Sequence, residues 1–230
     1  MASDTKRSGP ERTRGQRAGL DLQQIVDAAK TIALDKLSMQ SVADALQVDR
    51  KALHYYVKDR QALLQWVARD AFAERLSGRE IASQADWRAA CRRFATQLVE
   101  RIVSLGELAE YLWFGDRLTF MSLEPAEALF AQLQTAAFSD EDAVRLVVLL
   151  ASIALAHARD VVQAGQGEER PRRRFLREAL QAPGAPPLEN LNRILGAGVD
   201  TYGASQLDFD LEIFLAGAQR WLDGSDPKAS

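Results

Sequence analysis

Two short amphipathic patterns with only three residues between them constrain this chain more than any other feature. They lie in LSMQSVADALQVDRKALHYYVKDRQALL, residues 37–64. Ser38 is placed to cap the first, with Leu37 before the cap and Val42 four residues inside, the spacing of a hydrophobic staple. That helix is predicted to run to about Leu46. After Gln47, Val48 and Asp49 a third helix is predicted, capped by Asp49, stapled by Val48 and Leu53, and ending near Val57. Asp59 then caps a fourth carrying Ala62, Leu63, Trp66, Val67 and Phe72. Two short helices joined by a tight turn, with a helix on either side, predict a helix-turn-helix on a three-helix core.

The rest of the chain has the same character. Strand signals are scarce and helical periodicity is nearly continuous. Asp21 and Gln24 have capping-box spacing and precede an apolar stripe of Leu22, Ile25, Val26, Ala29 and Ala33. The connection to the second helix then reads as Asp35-Lys36-Leu37. Beyond residue 78 the periodicity predicts longer helices at roughly 86–104, 106–118, 124–137, 139–164, 188–198 and 208–223. Ser139 and Asp142 open the long one, which is apolar almost all round over 146–158 and is expected to be buried on most sides. Residues 164–187, rich in Gly, Pro and Arg, read as a loop with one short helix at 172–181. The expected division is a basic flexible arm at 1–20, a helix-turn-helix unit at 21–66 and a helical body at 67–230.

Charge locates the candidate interface. The net charge is −3, but residues 1–20 hold five basic residues against two acidic, residues 61–230 hold eighteen against twenty-four, and residues 21–60 balance. Contact with a polyanion is therefore expected at the N-terminal end. The opening nineteen residues have no apolar run of the kind that directs secretion, and the longest apolar stretch, 146–156, falls short of a membrane span. The single cysteine, Cys91, fits a reducing compartment, so a cytoplasmic protein without membrane contact is expected. Two histidines and one cysteine cannot form a zinc set within a chain, and no Glu-x-x-His pair, phosphate loop or dinucleotide glycine fingerprint is present. Neither catalysis nor a cofactor nor a metal is expected.

The chemistry of the third helix points to DNA. Positions 50, 51 and 54 share an exposed arc, whereas Leu53 and Val57 turn inward at i, i+4. Arg50 could pair with guanine O6 and N7, Lys51 could do the same or hold a phosphate, and Ala52 could touch a thymine methyl. His54, Tyr55 and Tyr56 can donate to phosphates, with Lys58 and Arg60 following at the start of the fourth helix. The ordinary alternative for such residues is a solvated face with half-buried tyrosines. Capping, stapling, turn length and surface chemistry together favour recognition. Arg12, Arg14 and Arg17 stand just ahead of the first helix, where an arm could follow the minor groove or remain a solvated tail.

With these residues in place, the segment resembles the DNA-binding domain of TetR-type transcriptional repressors, and within them the tetracycline-repressor-like members. The likeness rests on Leu53, the run His54-Tyr55-Tyr56-Val57-Lys58, and Arg60-Gln61-Ala62-Leu63-Leu64, and covers about residues 20–70. It implies an all-α protein: an N-terminal helix-turn-helix domain and a larger C-terminal helical domain for ligand binding and dimerisation. It further implies a homodimer on a near-palindromic double-stranded DNA operator, released by a small-molecule effector. Ser38, Gln40 and Ser41 fall where that family touches the backbone and occasionally bases; Arg50, Lys51 and Ala52 fall where it reads bases; His54, Tyr55, Tyr56 and Arg60 fall where it holds phosphates. Two departures bear on the pitch of the recognition helix: Gln47 replaces the usual turn glycine, and the connection before Ser38 lacks its common glycine.

For the effector, Trp113, Phe114, Phe120, Met121 and Phe130 could line a largely apolar pocket, with His157 as a polar contact. Plain core packing explains the same residues, and a largely apolar or aromatic effector is the corresponding expectation. By analogy with the family, the long helix and the last helix would build the dimer interface. Rival readings are a helical enzyme and a DNA-binding protein without an effector.

Overall fold

The computed structural model describes residues 19–73, 77–112, 123–165, 170–184 and 186–224, and those residues contain helices and no strand. The chain divides into two compact units after Leu63.

The first unit holds α1 (Leu22–Lys30), α2 (Met39–Leu46), α3 (Arg50–Leu53) and the start of α4 (Arg60–Ala73). Local chemistry explains each start. Asp21 accepts from Gln24 N at 2.8 Å while Gln24 returns a bond to Asp21 N, a closed capping box. Ser38 and Ser41 make the same reciprocal pair on α2, Asp49 accepts from Lys51 N at 2.7 Å, and Asp59 accepts from Ala62 N at 2.8 Å. Ile25, Val42, Leu53 and Leu63 are sealed from solvent and form the core with Val26, Leu37 and Val57.

Helix ends depart from the sequence reading. α1 stops at Lys30, so Ala33 is exposed rather than part of the stripe, and the connection to α2 is longer than Asp35-Lys36-Leu37. There the backbone tightens: Thr31 N and Ile32 N donate to Ala28 O and Ala29 O, three residues back, at 3.2 and 3.1 Å, and the Thr31 hydroxyl adds a bond to Ala28 O at 2.7 Å. α3 ends at Leu53 rather than near Val57. Tyr56 N and Val57 N both donate to Leu53 O at 2.9 Å, a tightened last turn that still delivers Val57 to the core.

The second unit contains the rest of α4, α5 (Gly78–Ala82), α6 (Trp87–Ser104), a 3-10 helix η1 (Gly106–Tyr111), α7 (Leu123–Thr135), α8 (Asp140–Ala164), α9 (Pro171–Gln181), α10 (Glu189–Ala197) and α11 (Ala204–Gly224). The sequence reading missed α5, whose five residues are too few to show a period. Glu80 tethers it to Arg93 and to Gln97 at 3.0 Å on α6, and Gly78 lets it approach α7 so closely that a Cβ would stand 2.7 Å from the Glu124 backbone oxygen. Residues 106–111 form a 3-10 helix where an α-helix to 118 was expected; residues 113–118 lie outside the described residues. The core runs from Phe72 through Trp87, Phe94 and Ile102 to Leu129, Leu150 and Leu211. Trp87 meets Phe138 edge-on at 5.1 Å.

α8 corrects one expectation. It is not buried on most sides: Val144, Val148 and Leu149 are each more than half exposed, while Val147, Leu150 and Ala154 face the core. Over 25 residues, with a mean hydropathy of 1.6 in its most apolar window, it also reaches the length and apolarity of a membrane span, which the stretch 146–156 alone does not. Its inner face nevertheless belongs to the core formed with α6 and α7.

Candidate nucleic-acid interface

Asp49 and the turn before it set α3 on the surface of the first unit. Gln47 adopts the left-handed conformation, φ 55° and ψ 40°, which turns the chain so that Val48 N reaches back to Ala43 O at 3.0 Å. The chain thus makes the usual turn without the usual glycine. Arg50 and Lys51 are exposed on the first turn, Ala52 is half-buried beside them, and Leu53 is sealed beneath. His54, Tyr55 and Tyr56 follow on the surface, with Tyr55 89% exposed, far beyond what a packing tyrosine shows. His54 Nδ1 lies 3.0 Å from Lys58 O, a contact requiring the hydrogen on Nδ1 and leaving Nε2 outward.

The remaining sequence-predicted residues divide by what already occupies them. Gln40 is exposed and bonds Asp44 at 2.7 Å, whereas the Ser38 and Ser41 hydroxyls are engaged with each other and with the α2 terminus. Arg60 is more than a surface cation. Its Nε donates to Leu37 O at 2.7 Å and its Nη2 to Leu34 O at 3.0 Å, so it clasps the α1–α2 connection. The sequence showed no sign of this, because the partners are backbone carbonyls more than twenty residues away. Lys58 is exposed at the α4 start. Arg12, Arg14 and Arg17 lie outside the described residues, as do Trp113, Phe114, Phe120 and Met121.

In the second unit, Phe130 is half-buried against the core. His157 is 5% exposed and lines a cleft of about 590 Å³ with Asp160, Asp210 and Phe209. Burial pulls its imidazole below the ordinary value, and Asp210 and Asp160 oppose that pull. A separate recess of about 330 Å³ lies among α6, η1 and α8, with Ile102, Leu112 and Val162 as its apolar wall and Glu110, Arg159 and Gln163 as its polar groups. No sequence signal singled out that recess, since its residues come from three separate segments.

No protein-family model matches the chain, and no curated protein does. Solved structures match over nearly its whole length. One, described as a possible TetR family transcriptional regulator from Streptomyces coelicolor A3(2), shares 25% identity with a TM-score of 0.60, covering 86% of this chain and 96% of that one. The TetR family protein ActR of Streptomyces coelicolor, in complex with actinorhodin, shares 20% identity with a TM-score of 0.60, over 87% and 96%. A substituted TetR from Acinetobacter baumannii AYE, in complex with minocycline, shares 17% identity with a TM-score of 0.55, over 88% and 98%. This chain has the TetR-family fold. The likeness covers 86–87% of the chain, and so reaches well beyond the segment 20–70 whose motifs carry the resemblance.

Proposed function

We propose that the protein is a ligand-responsive transcriptional regulator that binds a near-palindromic operator as a homodimer and is released by a small-molecule effector. The observation that carries this is α3 itself: exposed Arg50 and Lys51, with Leu53 and Val57 fixed in the core behind them. A guanidinium held by a rigid capped turn can meet base edges in a major groove, and exposed His54, Tyr55, Tyr56 and Lys58 can hold the flanking phosphates. Ser38, Gln40 and Ser41 join them from α2, and Arg12, Arg14 and Arg17 from the arm.

The dimer reading is supported by exposed apolar side chains on two helices. Val144 and Val148 on α8, and Phe209 and Ile213 on α11, are all more than half exposed, more than a monomer needs. Ligands bound in similar structures support an effector site, and the recess beside Leu112 is the natural place for it, with Trp113 and Phe114 following directly in sequence and Phe120 and Met121 later in the same segment. Repression is the sign of action this reading adopts.

Selection of bound sequences from random duplex DNA tests the reading. The expected result is a palindrome with half-sites about 10 bp apart. Arg50→Ala should relax the preference at one base position per half-site by about 1–3 kcal/mol. A library that emerges unenriched would end the proposal.

A further inference from the structure

α9 and α10 pack on one another, yet neither has a fully buried residue. Helices of 11 and 9 residues are too short to be stable by themselves, so apolar side chains left open between them call for a cover. Ile194 is 54% exposed and Val199 72%. Beside these apolar groups stands a concentration of positive charge. Arg170, Arg173 and Arg177 follow at i, i+3 and i+7, on one face, and line a cleft of about 520 Å³ with Gln181 and Asn192. Through Arg170, Arg173 and Leu195 this cleft continues into a recess of about 350 Å³ walled by Leu176, Ile194 and the Tyr202 ring.

The guanidinium groups there differ in what they pair with. Arg170 pairs with Asp200 at 3.3 Å, and Arg172, which lies over the Tyr202 ring at the edge of the recess, pairs with Asp160. Arg173 has no carboxylate within ion-pair distance among the described residues, and Asp200 is the sole carboxylate among the described residues lining either part. Guanidinium groups present paired N–H donors matched to carboxylate and phosphate oxygens, which an ammonium does not. We propose that this cleft binds a small amphipathic anion, a carboxylate or phosphate head on an apolar body. Arg173 takes the head, and Leu176 and Ile194 take the body. Its dimensions fall in the range of small-molecule sites. The site is distinct from the recess beside Leu112, and its occupancy does not depend on the DNA-binding reading.

Calorimetric titration of the full chain with dodecanoate, below its micelle concentration, tests this. Acetate supplies the head alone, and dodecyltrimethylammonium supplies the body with the opposite charge. The expected result is binding of dodecanoate and neither control, weakened about tenfold by Arg173→Gln and only partly restored by Arg173→Lys, with an unchanged melting temperature. Dodecanoate should also slow hydrogen exchange over residues 171–181 and 189–197. Equal binding of the trimethylammonium probe would overturn the proposal, as would protection confined to other helices. Protection of the same helices that rises with protein concentration, without any probe, would instead assign the face to a second copy and end the ligand reading.

Discussion

Arg60 holds Leu37: its Nε donates to the Leu37 carbonyl at 2.7 Å, and its Nη2 adds a bond to Leu34 O at 3.0 Å. A charged donor on two backbone acceptors is worth more than a neutral pair. Arg60→Ala should therefore destabilise the first unit by about 1–3 kcal/mol, read as a lower urea midpoint. It should also weaken DNA binding alike across sequences. Unchanged stability would show that the clasp is not formed in solution.

Gln47 sits in the left-handed region at φ 55°, where a Cβ is strained and glycine is not. Gln47→Gly should stabilise the fold by about 0.5–1 kcal/mol, the strain relieved less the greater freedom of glycine in the unfolded chain. Thermal melting reads the difference, and a loss of stability would mean that the Gln47 side chain makes contacts outweighing the strain.

Gly78 and Glu124 bring α5 and α7 together. A Cβ on residue 78 would meet Glu124 Cγ and its backbone oxygen at 2.7 Å, and backbone cannot swing aside. Gly78→Ala should cost about 1–3 kcal/mol, as overpacking usually does. Gly217, with open space around it, is the control: alanine there should leave the melting temperature unchanged or raise it.

His157 carries a pH dependence. In the fold its imidazole is held below 6.5 by burial, whereas in the unfolded chain it titrates near the ordinary value. The unfolded chain then binds more protons, so the contribution to stability is complete above about pH 6.5 and declines as pH falls through that value toward the folded-state pKa. His157→Gln should flatten this part of the stability profile. An unchanged slope between pH 7 and 5 would assign the dependence to other groups.

Val148 and Ile213 are 61% and 62% exposed on α8 and α11. Val148→Glu with Ile213→Glu should convert a dimer to a folded monomer in sedimentation, because neither side chain belongs to the core of its own chain. A monomeric parent protein would remove the dimer from the proposed function.

Helix starts were legible because a cap and its partner lie within three residues: Asp21 with Gln24, Ser38 with Ser41, and Asp49 with Lys51. The alternation of exposed Arg50 and Lys51 with buried Leu53 and Val57 was legible for the same reason, since a helical period is local. Helix ends were less so. α1 ends in backbone bonds tightened to three residues that periodicity does not encode, and residues 106–111 form a 3-10 helix where an α-helix was expected.

Residues 37–64 by themselves determined the helix-turn-helix and the cationic, aromatic surface of its third helix, because caps, staples and turn residues act between close neighbours in the chain. Tertiary structure alone decided that Arg60 clasps Leu37, that Gly78 admits Glu124, which face of α8 stays open, and that Arg170, Arg173 and Arg177 share a cleft with Asn192. Those relations join residues far apart in sequence, and the packing that brings them together leaves no periodic trace in either segment.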